Sequence, residues 1–385
     1  MSRDTVAARS GTVLIAHPSA ELYGSDRVML ETLEALTSRG RRVVVTLPAA
    51  GPLVAEIIER GGRIELCPSP VLRKSALRPV GLIKLAAEAL RSIPRSVGLI
   101  RRVDPDVVYV STITIPLWLV VAKAMRRRTV CHVHEAESTV PLLVRRAMAA
   151  PLLLADRLVA NSEFSLGVLT GAFPRLGRKA SVVYNAVAGP PFGSPARAQL
   201  AGPCRLLFVG RLSPRKGPQV AVAALKGLRR RGVDAHLDLT GAVFEGYEWF
   251  EQELRDSIRR DDLLDRVTFH GFQSDVWPHF ANADIVLVPS TVDEPFGNTA
   301  VEAVLASRPL VVSATSGLIE AARGYACAQS VAPGESEALA SAVATVVDRW
   351  SEFRDQAAAD ALLAHDRHLP ERYRQQIAEI VLDSA

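Results

Sequence analysis

The chain has 385 residues, 48% of them hydrophobic and 23% charged, with a formal net charge of +5. That length exceeds what one hydrophobic core usually serves, and the apolar fraction excludes a disordered chain, so two domains of ordinary size are expected. Cys67, Cys131, Cys204 and Cys327 stand far apart with no C-x-x-C pair, which excludes a zinc ribbon or a small disulfide framework and fits a reducing compartment.

Residues 1–11 are polar and the apolar run 12–16 is too short for a signal-peptide core. The apolar stretches 113–124 and 148–154 are interrupted by Pro116, Lys123 and Pro151 and fall short of a membrane span. A cytoplasmic protein is expected. In chain order, 12–16 reads as a strand and Ser25 as a helix cap. Met29, Leu33 and Leu36 follow at helical spacing, Gly40 stops the helix, and 42–47 is the next strand, which completes a βαβ unit. Further strands are expected at 63–66, 107–111, 129–134 and 157–160.

Residues 189–203 open with Gly-Pro-Pro-Phe-Gly-Ser-Pro and lack any apolar period, so they read as a linker after a first domain, 1–188. Beyond it come strand 205–209, helix 216–231, strand 235–240, helix 248–259, strands 267–270 and 285–289, helix 299–307 and strand 310–313. The βα alternation in both halves predicts an α/β protein of two Rossmann-like, doubly wound domains facing across a cleft, the second covering 204–366. After Pro370, the residues Tyr373, Ile377, Ile380 and Val381 mark one apolar face of a last helix, which must pack on something.

Ligands of open parallel sheets bind beyond the carboxyl ends of the strands, and four loops there carry suggestive residues. After 12–16, Gly24 permits close approach and Ser25 opens a helix whose N–H groups can meet an anion, although many such turns only cap. After 205–209, Arg211 and Lys216 offer a fork and a point charge suited to a diphosphate, or a solvated basic loop. After 285–289 comes Asp-Glu-Pro-Phe-Gly-Asn-Thr-Ala-Val-Glu at 293–302, in which Asn298 reads as the helix cap and Glu302 as a first-turn residue. Glu302 suits ribose hydroxyls, and Glu294 with the Gly297–Thr299 turn suits a sugar. Last, 131–135 reads Cys-His-Val-His-Glu; strand alternation puts His132 and His134 on one side, which raises a metal site with Glu135 or Glu137, yet no third ligand is evident. His132 reads as a core residue and His134 as the one facing the cleft. Asp104-Pro105-Asp106 spells D-x-D but precedes its strand, the wrong end for a metal–diphosphate site.

The sequence resembles a GT-B glycosyltransferase of family 4, the retaining, nucleotide-sugar-dependent class, over nearly its whole length. The most specific feature is the pair of glutamates Glu294 and Glu302 within Glu-Pro-Phe-Gly-Asn-Thr-Ala-Val-Glu-Ala. Val-Gly-Arg-Leu-Ser-Pro-Arg-Lys-Gly at 209–217, Phe-His-Gly-Phe at 269–272, Val-Ala-Asn-Ser at 159–162 and Val-Tyr-Asn at 183–185 support it. The resemblance implies that Arg211 and Lys216 bind the donor diphosphate, Glu302 its ribose, and the backbone at Gly271 and Phe272 its base. Glu294 with Phe296, Gly297, Asn298 and Thr299 would hold sugar hydroxyls, His134 would approach the sugar from the first domain, and Gly24 and Ser25 would meet phosphate. The family usually has two adjacent glycines where this chain has Tyr23-Gly24. It also implies that the last helix, 367–385, crosses back to the first domain, that the domains close over the donor, and that no cofactor and no metal is needed.

Acceptor choice falls to the first domain, where Arg73, Lys74, Arg78, Lys84, Arg91, Arg95, Arg101 and Arg102 face a single acid, Glu88. Such a segment suits an anionic membrane surface or lipid-linked acceptor, peripheral to the inner face of the cell membrane, as well as a plain solvated helix face. Two rivals remain. A GT-B sugar-nucleotide epimerase would share the nucleotide site but needs acid and base carboxylates in the cleft. A basic nucleic-acid-binding protein would explain the charge, yet the chain has no zinc finger, RNA-recognition motif or aromatic–basic platform.

Overall fold

A computed structural model describes residues 11–72, 79–136, 138–244 and 246–383. The chain divides into two compact units, Met1–Ala186 with Pro370–Ala385, and Val187–Leu369. Among the described residues no helix is long and apolar enough to cross a membrane.

The first unit is built on seven parallel strands: β1 (Thr12–Ala16), β2 (Arg42–Leu47), β3 (Arg63–Leu66), β4 (Val107–Val110), β5 (Arg128–Val133), β6 (Arg157–Ala160) and β7 (Ala180–Val182). They lie in the order β3-β2-β1-β4-β5-β6-β7. The central strands are continuously apolar because helices cover both faces of the sheet. Alternate side chains of β1 show this: Val13 and Ile15 join a core with Leu33, Leu36 and Ile377, while Leu14 and Ala16 join one with Leu99, Trp118 and Cys131.

The helix Pro370–Leu382 belongs to this unit and packs on the helix Gly24–Thr37. Tyr373, Ile377 and Val381 are buried, and the Tyr373 hydroxyl lies 2.6 Å from Thr32 Oγ1. Arg374 pairs with Glu31 at 2.9 Å and also with Glu34. Arg128 donates to the carbonyls of Val381 and Ile380 at 2.7 and 2.9 Å, so a cation meets the negative end of the helix.

The second unit has six parallel strands: β8 (Cys204–Val209), β9 (Ala235–Thr240), β10 (Val267–Gly271), β11 (Ile285–Val288), β12 (Leu310–Ser313) and β13 (Ala328–Val331). Their order, β10-β9-β8-β11-β12-β13, repeats that of the first six strands of the other unit. The Pro/Gly-rich segment 189–203 is stitched to this unit. Arg197 Nε donates to buried Asp284 at 2.8 Å, Trp350 Nε1 donates to the Arg197 carbonyl at 3.0 Å, and the wholly buried Arg308 reaches the carbonyls of Ser194 and Phe280 at 2.9 and 2.8 Å.

Two caps differ from the sequence expectation. The first helix begins at Gly24, so Ser25 lies inside it; its start is tied by Asp26, whose carboxylate accepts the Tyr23 N–H at 2.8 Å. Asn298 is the first residue of its helix, Asn298–Leu305, after Gly297, and Glu302 therefore sits in the second turn. The reasons differ: Gly297 at φ +130° already turns the chain ahead of Asn298, while Asp26, three residues into the other helix start, reaches back to the N–H of Tyr23 and fixes the start one residue ahead of Ser25.

Candidate functional site

In each sheet the strand order reverses about one pair of neighbours, β1 and β4 in the first unit and β8 and β11 in the second. The loops leaving the carboxyl ends of that pair diverge and open a crevice, which is where doubly wound sheets place ligands.

In the first unit the crevice is bridged by a buried hydrogen-bonded chain. His17 follows β1; its Nδ1 lies 2.6 Å from Ser111 Oγ, just after β4, and its Nε2 lies 2.8 Å from Asp26 Oδ1. All three side chains are buried. Because Asp26 also holds the Tyr23 N–H, the same carboxylate aims the imidazole and fixes the turn that presents Gly24 and Ser25, both exposed. His134 follows β5, half-buried, with its ring tilted by 39° against that of His132, centroids 4.0 Å apart. Burial, with His17 adding, pulls the His134 pKa down to about 3, so this imidazole is neutral at ordinary pH. His132 is wholly buried, its Nδ1 is 2.6 Å from the Tyr109 hydroxyl, and burial holds it well below the usual histidine range. Glu135 ties its loop to the one after β4, accepting from Thr112 Oγ1 there and from the His134 N–H at 3.1 Å. Burial raises its pKa, and these hydrogen bonds oppose the rise. Among the described residues no three His, Cys, Asp or Glu side chains are placed to hold a metal ion, and Glu137 lies outside them. Asp104 and Asp106 serve the other end of the sheet, pairing with Arg127 at 2.5 Å and accepting the Thr12 N–H at 2.7 Å.

In the second unit the two loops of the crevice are laced together. The chain leaves β8 through Gly210, makes a tight turn at Pro214–Lys216, and enters the next helix through Gly217 at φ +77°. A Cβ on Gly217 would stand 1.9 Å from the Pro289 carbonyl oxygen, so only glycine allows this turn to lie against the loop after β11. Across that seam the Thr291 N–H donates to the Arg215 carbonyl at 2.9 Å and Arg215 donates to the Asp293 carbonyl at 3.0 Å. Lys216 Nζ meets Glu294 Oε2 at 3.0 Å, while the buried Ser290 hydroxyl donates to Glu294 Oε1 at 2.9 Å. Glu294 is buried and Lys216 is about one-third exposed, at 34%. Arg211 lies over the Phe244 ring, 3.1 Å from its centroid.

Beside these charges the floor is bare backbone. Gly210, Gly241 and Gly271 sit at the carboxyl ends of β8, β9 and β10, with Gly210 N–H bonded to the Thr240 carbonyl at 2.9 Å and Gly241 N–H to the Gly271 carbonyl at 2.8 Å. Gly271 and Phe272 are exposed. The Glu294–Gly297 backbone lies against the helix Ser316–Ala322: a Cβ on Gly317 would stand 2.0 Å from the Glu294 carbonyl oxygen. Phe296 is buried with its ring 5.8 Å from that of His368, so this residue offers a ligand only its backbone. Thr299 Oγ1 lies 3.5 Å from the Val209 carbonyl, which puts the start of its helix beside the end of β8.

The second unit thus places Arg211 and Lys216 after β8, Gly271 and Phe272 at the end of the edge strand β10, and Glu294, Phe296, Gly297, Asn298, Thr299 and Glu302 on the loop and helix after β11. His134, Gly24 and Ser25 stand at the carboxyl end of the first unit's sheet. Sequence reasoning missed His17, Asp26, Ser111 and Gly241. His17 was open to the rule applied to His134, since it directly follows a strand; Ser111 and Asp26 become its partners only through contacts 94 and 9 residues away.

The two doubly wound units have the fold of the GT-B glycosyltransferases. The Anabaena protein HepE, solved with UDP-glucose, superposes with a TM-score of 0.80 over 97% of this chain and 100% of that one, at 23% identity. The chain belongs to glycosyltransferase family 4: residues 23–188 match the family model "Glycosyltransferase Family 4" and residues 197–361 the model "Glycosyl transferases group 1". Among curated relatives, the glycogen synthase of Mycobacterium tuberculosis is 35% identical over 170 residues, 44% of this chain and 40% of that protein. The D-inositol 3-phosphate glycosyltransferase of Segniliparus rotundus is 31% identical over 250 residues, 62% of this chain and 51% of the relative. The alignments span about half or less of these relatives' lengths.

Proposed function

We propose that the chain moves a sugar from a nucleoside diphosphate sugar to a hydroxyl acceptor with retention of anomeric configuration and without a metal or cofactor. The observation that carries the reading is the Lys216–Glu294 pair at the second unit's strand-order reversal, set beside the glycine floor of β8, β9 and β10. HepE, solved with UDP-glucose, supports the donor class.

In this reading the leaving diphosphate gains negative charge as the glycosidic bond lengthens, and Arg211 and Lys216 stabilise that charge more in the transition state than in the ground state. Lys216 exchanges a carboxylate oxygen of Glu294 for a phosphate oxygen, which frees Glu294 to accept from sugar hydroxyls. Glu302 takes the ribose hydroxyls, and the backbone at Gly271 and Phe272 takes the base. Gly24 and Ser25 meet phosphate at an exposed helix start. No side chain is assigned as a nucleophile: the acceptor attacks on the face the diphosphate leaves, and the departing phosphate takes its proton. His134, neutral, serves the sugar as a hydrogen-bonding partner rather than as a cation. Mass-spectrometric detection of slow hydrolysis across a panel of UDP-, GDP- and dTDP-sugars tests the reading. One donor class is expected to yield free sugar and nucleoside diphosphate; an inert panel, or release of an epimerised nucleotide sugar, would overturn it.

A second reading concerns location. On the helix Pro79–Val103, Ile83 and Leu90 are 72% and 69% exposed, and Lys84, Arg91, Arg95 and Arg101 are exposed on the same helix; Arg73, Lys74 and Arg78 lie outside the described residues. Apolar side chains at seven-residue spacing among cations suit the boundary of an anionic membrane, and we propose that the protein docks there, at the inner face of the cell membrane, to meet a lipid-linked acceptor. Flotation with anionic liposomes is expected for the wild type and lost when Arg91, Arg95, Arg101 and Arg102 become alanine; equal flotation of both would dismiss it.

A further inference from the structure

At the amino-terminal ends of β1, β4 and β5, the far end of the first unit's sheet from His17 and His134, lies a cavity of about 850 Å³. That is the size range of ligand sites. Its cations are Arg41, Lys123, Arg126, Arg127 and Arg128, and its acids are Asp106 and Asp156. Both acids are already engaged. Asp106 accepts the Thr12 N–H at 2.7 Å, and Asp156 accepts Lys123 at 2.5 Å together with the N–H and hydroxyl of Thr129 at 2.8 and 2.9 Å.

Three of the cations are likewise anchored: Lys123 on Asp156, Arg127 on Asp104, and Arg128 on the last carbonyls of the helix Pro370–Leu382. Among the described residues, Arg41 and Arg126 have no carboxylate partner. Arg126 takes φ +55°, a left-handed conformation that costs a non-glycine residue about 1 kcal/mol or more and turns three consecutive arginines around the cavity rim. Arg127 Nε is buried without a hydrogen-bond acceptor. Burial, and then the neighbouring Arg157, lower the Arg128 pKa, and the nearby carboxylates Asp383 and Asp156 only oppose that shift.

A roomy cavity with surplus guanidinium forks calls for an oxyanion, and the planar fork matches phosphate best. We propose that this cavity binds the phosphate group of a small phosphorylated molecule, gripped by Arg41 and Arg126 in the field of Arg127 and Arg128. It is a second anion site, reached independently of the donor crevice and of the reading given to it.

Calorimetric titration of the full chain with inorganic pyrophosphate tests the proposal, with Arg211→Ala and Lys216→Ala present throughout to silence the donor side. In that background one equivalent of pyrophosphate is expected to bind, weakening as sodium chloride is raised. Adding Arg41→Ala and Arg126→Ala should weaken binding at least tenfold, with the melting temperature and circular dichroism unchanged. A parallel arm replaces pyrophosphate with phosphatidylcholine vesicles containing phosphatidic acid: loss of binding there alone assigns the phosphate to a lipid headgroup, and loss in the pyrophosphate arm assigns it to a soluble ligand. If the double substitution alters neither, the proposal fails, whatever becomes of the donor assignment.

Discussion

The two sheets share a strand order over six strands, yet they bridge their reversal points in opposite ways. In the first unit a buried chain of mutually hydrogen-bonded groups, Ser111–His17–Asp26, closes the gap, and the nearby His132 and His134 are held uncharged. In the second, an ion pair between a buried Glu294 and a partly exposed Lys216 does so, beside a floor stripped to glycine. The same topology therefore yields a preorganised hydrogen-bonding wall in one unit and an exchangeable charge in the other. A polyanion gains from the second arrangement, because Lys216 can trade carboxylate for phosphate at little cost, whereas groups already satisfied among themselves have nothing to trade.

That contrast can be broken by substitution. Lys216→Ala should lower turnover by about 10³-fold, since in the proposed reaction it removes a donor aimed at developing charge. It should also lower stability by about 1–2 kcal/mol, because Glu294 stays buried without its counter-charge. Near-normal transfer by this variant would remove the central asymmetry. A double substitution with Glu294→Gln should restore stability but not turnover, which denaturant melts and steady-state rates separate.

Next in size is the glycine floor. Gly241 sits at φ +140°, and a Cβ there would stand 1.9 Å from the Gly210 carbonyl oxygen, so Gly241→Ala should cost on the order of 3 kcal/mol or leave the chain insoluble. Gly40, at φ +72° in open space, is the control from the other unit, and alanine there should cost only about 1 kcal/mol. Equal urea midpoints for the two variants would show that the floor is not tightly packed.

The smallest effect is in pH. The folded pKa of His134, at about 3, lies below the 6.5 of the free side chain, so the unfolded chain takes up a proton that the folded one refuses. The contribution of His134 to stability is intact above pH 6.5 and is lost progressively as pH falls toward 3. A urea midpoint that declines between pH 7 and 5, with a shallower decline in His134→Asn, is expected. Identical slopes would mean that His134 titrates freely.

Much of this was legible from residue order. β2, β3, β6, β9 and β12 fall at 42–47, 63–66, 157–160, 235–240 and 310–313, because each is a short run, mostly apolar in β2, β6 and β12 and alternating in β3 and β9. β7 and β13 were not, since a three-residue strand and one reading Ala-Gln-Ser-Val carry no period. Within the site, Arg211, Lys216 and Glu294 stood out by their place after strands. Their pairing did not, because Lys216 and Glu294 are 78 residues apart and either could have faced solvent. The capping roles first given to Ser25 and Asn298 failed for a local reason: Asp26 and Gly297 end the loops by other means.

The helix Pro370–Leu382 has a consequence for how the molecule is made. Tyr373, Ile377, Ala378 and Val381 complete the core that Val13, Ile15, Leu33 and Leu36 begin. During synthesis, that apolar surface waits unfilled while the whole of Val187–Leu369, contiguous in sequence, emerges and can fold. The first unit to be translated is thus the last that can be finished, with the apolar face of the helix Gly24–Thr37 left uncovered until Pro370–Leu382 arrives.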